Sequence, residues 1–162
     1  MQSNWQFWWR VAPLLGVVVV DSIGFGILYP VIGTLIFPSS QSILDPGATE
    51  FVRNIWYGLS VSSFFVLMFF SAPIVGDLSD RFGRKTVMSL VLLGLMIGYV
   101  LTVVAIWQKQ IIWLVLGRMI DGATAGSFAV AQAAVIDMSA PEDKTRNLGK
   151  VIFFSSLGFI LG

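Results

Sequence analysis

The chain has 162 residues, 56% of them hydrophobic and 12% charged, against about 25% charged in soluble domains, and its mean hydropathy is +0.84. So little polar surface excludes a water-soluble globule and predicts an all-α integral membrane protein. A net charge of +1 leaves no basic face for nucleic acid. The absence of cysteine and histidine removes disulfides, thiol chemistry, the usual zinc, haem and iron–sulfur sites, and imidazole-dependent catalysis. The chain reads as a non-enzyme without a cofactor, whose surroundings are lipid.

At about 20 apolar residues per crossing, the pattern predicts helices over 11–37, 55–75, 86–107 and 111–137, and a fifth over 147–162. The first exceeds the 7–15 residues of a secretory signal core, contains Asp21, and is not closed by a small-residue cleavage site. Within it Gly24, Gly26, Pro30 and Gly33 loosen the hydrogen-bond ladder and favour bending. Pro38 to Asn54, rich in Ser, Pro, Asp and Gly, reads as a solvated connector. Between the second and third helices lies a charged link, Gly76-Asp77-Leu78-Ser79-Asp80-Arg81-Phe82-Gly83-Arg84-Lys85-Thr86. Gly94 and Gly98 in the third helix, and Gly122 and Gly126 in the fourth, form G-x-x-x-G pairs that suit close helix packing. The fifth run spans only about 24 Å at 1.5 Å per residue, short of the roughly 30 Å hydrocarbon core, so the chain is expected to be the N-terminal part of a longer protein.

Seven basic residues (Arg10, Arg81, Arg84, Lys85, Lys144, Arg146, Lys150) fall on one side of these spans, and two (Arg53, Lys109) on the other. The positive-inside rule then places the N-terminus in the cytoplasm. Trp5, Trp8, Trp9, Trp56, Trp107 and Trp113 fall at the span ends, as interfacial tryptophans do.

Three charges lie inside spans: Asp21, Arg118 and Asp121. A charge near mid-bilayer costs about 3 kcal/mol on insertion scales and faces a cavity or a partner. By helical rise Asp21 is about 15 Å from one boundary and Arg118 about 9 Å from the other, close enough in depth for an Asp21–Arg118 pair, with Asp121 on nearly the same face as Arg118. One reading is mutual neutralisation for insertion and packing. The other is a proton-carrying site, in which a carboxylate, Asp21 or Asp121, titrates because arginine keeps its proton.

The charged link, G-x-L-[AS]-D-R-x-G-R-[KR], resembles the signature between helices 2 and 3 of the major facilitator superfamily. The resemblance covers essentially the whole chain, in the order of that family's first five helices. Asp21-Ser22-Ile23-Gly24-Phe25-Gly26-Ile27-Leu28-Tyr29-Pro30-Val31 looks like helix 1 of twelve-helix drug:proton antiporters, the tetracycline exporters among them, with Gly33 where a second proline is common. Gly117-Arg118 through Gly122 and Gly126 is similar to the family's arginine–glycine motif, whose arginine is implicated in proton transfer; Asp121 replaces the usual neutral residue. Gly158 to Gly162 matches the opening of the helix 5 antiporter motif.

The resemblance implies two six-helix halves around a midplane cavity, of which this chain would supply about five helices. It implies proton coupling through Asp21, Arg118 and Asp121, and a cytoplasmic latch built on Gly76, Asp80, Arg81, Gly83, Arg84, Lys85 and Asp137. Helix packing or bending would fall to Gly24, Gly26, Pro30, Gly122, Gly126, Gly158 and Gly162, and the cavity wall to Tyr29, Ser60, Ser63, Phe128 and Gln132. The expected function is proton-coupled efflux of drugs or small amphipathic molecules across a bacterial inner membrane, with the C-terminal half of the same transporter as partner. Alternatives are transport of a metabolite, sugar or siderophore, or a truncated, non-transporting membrane protein that acts as an interaction partner.

Overall fold

A computed structural model describes the backbone over residues 4–162 and the side chains of residue 9 and residues 11–162. Its elements are α1 (Asn4–Ile36), α2 (Glu50–Phe82), α3 (Arg84–Gln108), α4 (Ile111–Ala123), α5 (Ser127–Met138) and α6 (Lys144–Leu161), with a 3-10 turn at Pro141–Asp143. Among the described residues four stretches are long and apolar enough to cross a bilayer: Val11–Ile36, Glu50–Phe82, Arg84–Gln108 and Ile111–Met138. Lipid offers no hydrogen bonds to a backbone, so apolar runs of this length close their own as helices. The interfacial roles expected of Trp5, Trp8 and Arg10 fall outside the described side chains.

The second helix is longer than its apolar run at both ends. Thr49 caps its start by accepting the Val52 N–H at 3.4 Å, as N-cap hydroxyls do. At the other end the charged link is helical almost throughout: α2 runs to Phe82, α3 starts at Arg84, and the whole turn is Gly83. That residue has φ +89°, where a side chain would be strained. Ion pairs Asp77–Arg81 at 3.0 Å and Asp80–Arg84 at 2.6 Å support the two helix ends.

The fourth span, expected as one helix over 111–137, is interrupted at Thr124-Ala125-Gly126. There the hydrogen bonds tighten from Thr124 N–H to Ile120 O, to Ala125 N–H to Gly122 O, to Gly126 N–H to Thr124 O. The hydroxyl of Ser71 on α2 donates to the Gly122 carbonyl at 2.7 Å. Broken spans persist where neighbouring side chains satisfy the freed backbone in this way.

Two compact units make up the chain, Met1–Leu28 with Ser127–Gly162, and Tyr29–Gly126. In the latter, α4 packs on α2 and α3 through glycines. A methyl at Gly117 would lie 2.8 Å from the Gly98 carbonyl, one at Gly122 would strike the Phe64 backbone, and one at Gly126 would strike Val75. In the former, α1 and α6 meet at Gly26, Gly158 and Gly162: a methyl on Gly26 would come within 2.6 Å of the Phe159 carbonyl and one on Gly158 within 2.6 Å of the Val19 carbonyl. The Ser22 and Ser155 hydroxyls hydrogen-bond at 2.9 Å across that contact. Gly24 and Pro30 lie inside α1, which stays helical through both.

Most of the Pro38–Asn54 segment is exposed, as its composition suggested, but it is anchored at two buried points. Ile43 is buried, Arg53 is 3% exposed, and the segment folds back on the end of α1. Composition did not reveal this anchoring, because the hydrogen bonds from Ser39 and Arg53 to the last carbonyls of α1 join positions that composition does not relate.

Candidate functional site

Arg118 and Asp121 stand one turn apart on α4, which brings them together on one face. They form an ion pair from Nη2 to Oδ2, and they are 2% and 1% exposed. Gly98 on α3 makes the space: a methyl there would occupy the position of the Asp121 carboxylate. Beside it the Thr102 hydroxyl donates to the Gly98 carbonyl at 3.1 Å. The pair is incompletely satisfied, because Arg118 Nε and Asp121 Oδ1 are buried without a hydrogen-bond partner. Buried polar atoms are rarely left so.

Asp21 and Arg118, expected to pair, belong to different units. Within its own unit Asp21 accepts a hydrogen bond from the Ser127 hydroxyl. Ser127 opens α5 directly after the break, so this carboxylate lies by the amino-terminal, positive end of a helix macrodipole. Sequence reading missed Ser127. The signal was the Gly122-Ala123-Thr124-Ala125-Gly126 run just before it, which marks where a helix restarts.

Of the charged cluster, Asp80 Oδ1 meets Arg84 Nη2 at 2.6 Å, and Arg84 Nη1 donates to the Ser79 hydroxyl at 2.6 Å. That hydroxyl in turn donates to the Gly76 carbonyl at 2.7 Å. Arg81 pairs with Asp77, and Lys85 is exposed. Asp137 lies near the end of α5, in the other unit.

The residues expected to line a cavity divide in the same way. Ser60 is fully buried and donates to the Trp56 carbonyl at 2.8 Å, and Ser63 donates to the Ser60 carbonyl at 3.2 Å, so both hydroxyls are engaged within α2. Tyr29 and Gln132 are half-buried, and Phe128 is exposed. Arg53, which sequence reading counted only as a charge on the far side, is instead a buried hydrogen-bonding centre. Among the described residues no group of acids is arranged to hold a metal.

Comparison with known proteins places this geometry in a family. The model of the Major Facilitator Superfamily matches residues 14–162. The class C tetracycline resistance protein of Escherichia coli is 31% identical over 150 residues, covering 92% of this chain and 35% of that protein. The class H tetracycline resistance protein of Pasteurella multocida is 32% identical over 151 residues, 92% of this chain and 34% of its own length. Major facilitator superfamily domain-containing protein 10 of Mus musculus is 33% identical over 125 residues, 76% of this chain and 26% of its own. The chain thus spans about a third of the length of the tetracycline resistance proteins it matches, and no solved structure matches it significantly. A multi-pass helical membrane chain carrying the Gly76–Lys85 signature and a buried arginine in its fourth span, matched by the family model from residue 14 onward, belongs to the Major Facilitator Superfamily.

Proposed function

We propose that this chain is the N-terminal part of a secondary transporter that exports small amphipathic molecules, drugs among them, in exchange for protons. The observation that carries the reading is the unequal partnering of the two acids inside the spans, the half-buried Asp21 and the buried Asp121. Asp121 is tied to Arg118, a cation that does not give up its proton, and so serves as its standing counter-ion. Asp21 is held by the neutral Ser127 hydroxyl, which can accept from or donate to a carboxyl group in either protonation state. Asp21 is therefore the group that gains a proton from one side of the membrane and loses it to the other. The similarity to tetracycline resistance proteins supports efflux as the direction. The seven-to-two division of basic residues supports a cytoplasmic N-terminus in a bacterial inner membrane. The Asp80–Arg84 pair serves in the cytoplasmic latch, and the C-terminal half of the transporter completes the cavity.

The test uses the complete protein in inverted membrane vesicles, with an imposed proton gradient and a panel of amphipathic drugs, sugars and metabolites. Wild-type protein should accumulate at least one amphipathic drug and collapse the gradient as it does so, and Asp21→Asn should abolish both. Gradient-coupled transport at the wild-type rate in Asp21→Asn would overturn the assignment of the proton. Transport confined to sugars or metabolites would replace the substrate class.

A further inference from the structure

The last turn of a helix leaves its carbonyls without intrahelical donors, and those of α1 are taken up one after another by the segment that follows. Phe37 N–H donates to Gly33 O at 2.9 Å, and the Ser39 hydroxyl donates to Thr34 O. Ile43 N–H donates to Leu35 O at 2.9 Å, and Arg53 Nη1 donates to Ile36 O at 2.6 Å. Arg53 is on the first turns of α2, so its side chain joins the end of one span to the start of the next.

The rest of its guanidinium organises the chain between them. Nη1 also donates to the Ser42 hydroxyl at 3.2 Å, Nη2 to Asp45 O at 2.7 Å, and Nε to Ala48 O at 3.3 Å. Its charge stands at the carboxyl end of α1, the negative end of the macrodipole. A ring contact between Phe37 and Tyr57, with centroids 5.6 Å apart, and the burial of Ile36 and Ile43 complete a small core. The Asp45 carboxylate tightens the turn by accepting the Gly47 N–H at 2.7 Å. The folded segment forms a wall of a pocket of about 440 Å³ that reaches Lys109 at the α3–α4 turn.

We propose that residues 37–53 are a preformed cap on the α1–α2 hairpin, that Arg53 is the positioning residue that holds it, and that the cap makes the ends of these two spans move as one piece during transport. The last clause rests on the transporter reading; the cap itself does not. A lysine cannot replace Arg53, because one ammonium cannot serve acceptors spread over residues 36, 42, 45 and 48 as a planar fork does.

The complete protein in detergent, treated with thermolysin, supplies the first measurement. In wild-type protein the bonds beside Ile43 and Leu44 should resist cleavage. They should be cut roughly tenfold faster or more in Arg53→Lys and Arg53→Gln, because local opening then breaks fewer charge-assisted hydrogen bonds, or none. Ser42→Ala, which keeps the arginine, should give an intermediate rate and serves if the Arg53 variants fail to fold. Cleavage of Arg53→Lys or Ser42→Ala at the wild-type rate would overturn the cap. In vesicles, Arg53→Lys should lower the maximal transport rate and leave the half-saturating solute concentration unchanged. An unchanged maximal rate in a variant whose cap is cut would overturn the positioning role. A protected cap in a wild-type protein that moves no solute would uphold the cap and refute the transporter reading.

Discussion

Arg53 and Arg118 are both buried, 3% and 2% exposed, yet the protein treats the two side chains in opposite ways. Arg53 directs its nitrogens into three main-chain carbonyls and a hydroxyl at a helix end. Arg118, inside a span, meets Asp121 end-on through one nitrogen and leaves Nε without a partner. An arginine with each nitrogen engaged fixes geometry, since any movement breaks several bonds at once. One tied to a single carboxylate on its own helix fixes no neighbouring element in this way. Burial alone does not tell these two arginines apart; the number and kind of their partners do.

Removing the cation from the span is the most severe way to break this contrast. Arg118→Leu strands Asp121 as an uncompensated buried charge and should destabilise the protein by about 3–5 kcal/mol. The double variant Arg118→Leu with Asp121→Leu should recover most of that loss yet fail to transport. Thermal unfolding in detergent beside a vesicle assay reads both quantities, and transport by the double variant would reduce the pair to a packing device.

A smaller effect is expected at the glycine that seats the pair. Gly98→Ala drives a methyl into the Asp121 carboxylate and should cost about 1–3 kcal/mol, as overpacking of a tight core does. It should impair transport while thermolysin resistance at Ile43 stays at the wild-type level, because the cap lies elsewhere in the unit. Loss of cap protection in Gly98→Ala would mean the two arginine sites are not independent.

The smallest effect on stability belongs to the exposed end of α2. The Asp80 side chain is 62% exposed, so Asp80→Asn should change unfolding by only about 0.2–1 kcal/mol. Its effect should appear in the rate at which the complete transporter exchanges between its two states, measured by site-directed fluorescence. An unchanged exchange rate would remove the latch role from the Asp80–Arg84 pair.

Span number and helical class were legible because 20-residue apolar runs leave the backbone one economical solution in lipid. The Arg118–Asp121 contact was legible for an equally local reason, a separation of three residues on one helix. Ser127 was not, because its bond to Asp21 links positions 106 residues apart. Nor was the cap, since Ser, Pro, Asp and Gly read the same whether their polar groups face water or the end of a helix.

The sequence by itself determined a membrane protein of helical spans, the charged signature that marks its family, and the presence of three ionisable groups where lipid should be. These follow from composition and short-range spacing, which do not depend on how helices meet. Tertiary structure alone decided that the fourth span breaks at Thr124–Gly126, that Gly98 makes room for Asp121, and that Arg53 closes the end of α1. Each of these depends on atoms from different helices competing for the same space or the same hydrogen bond, and that competition is settled only when the helices pack.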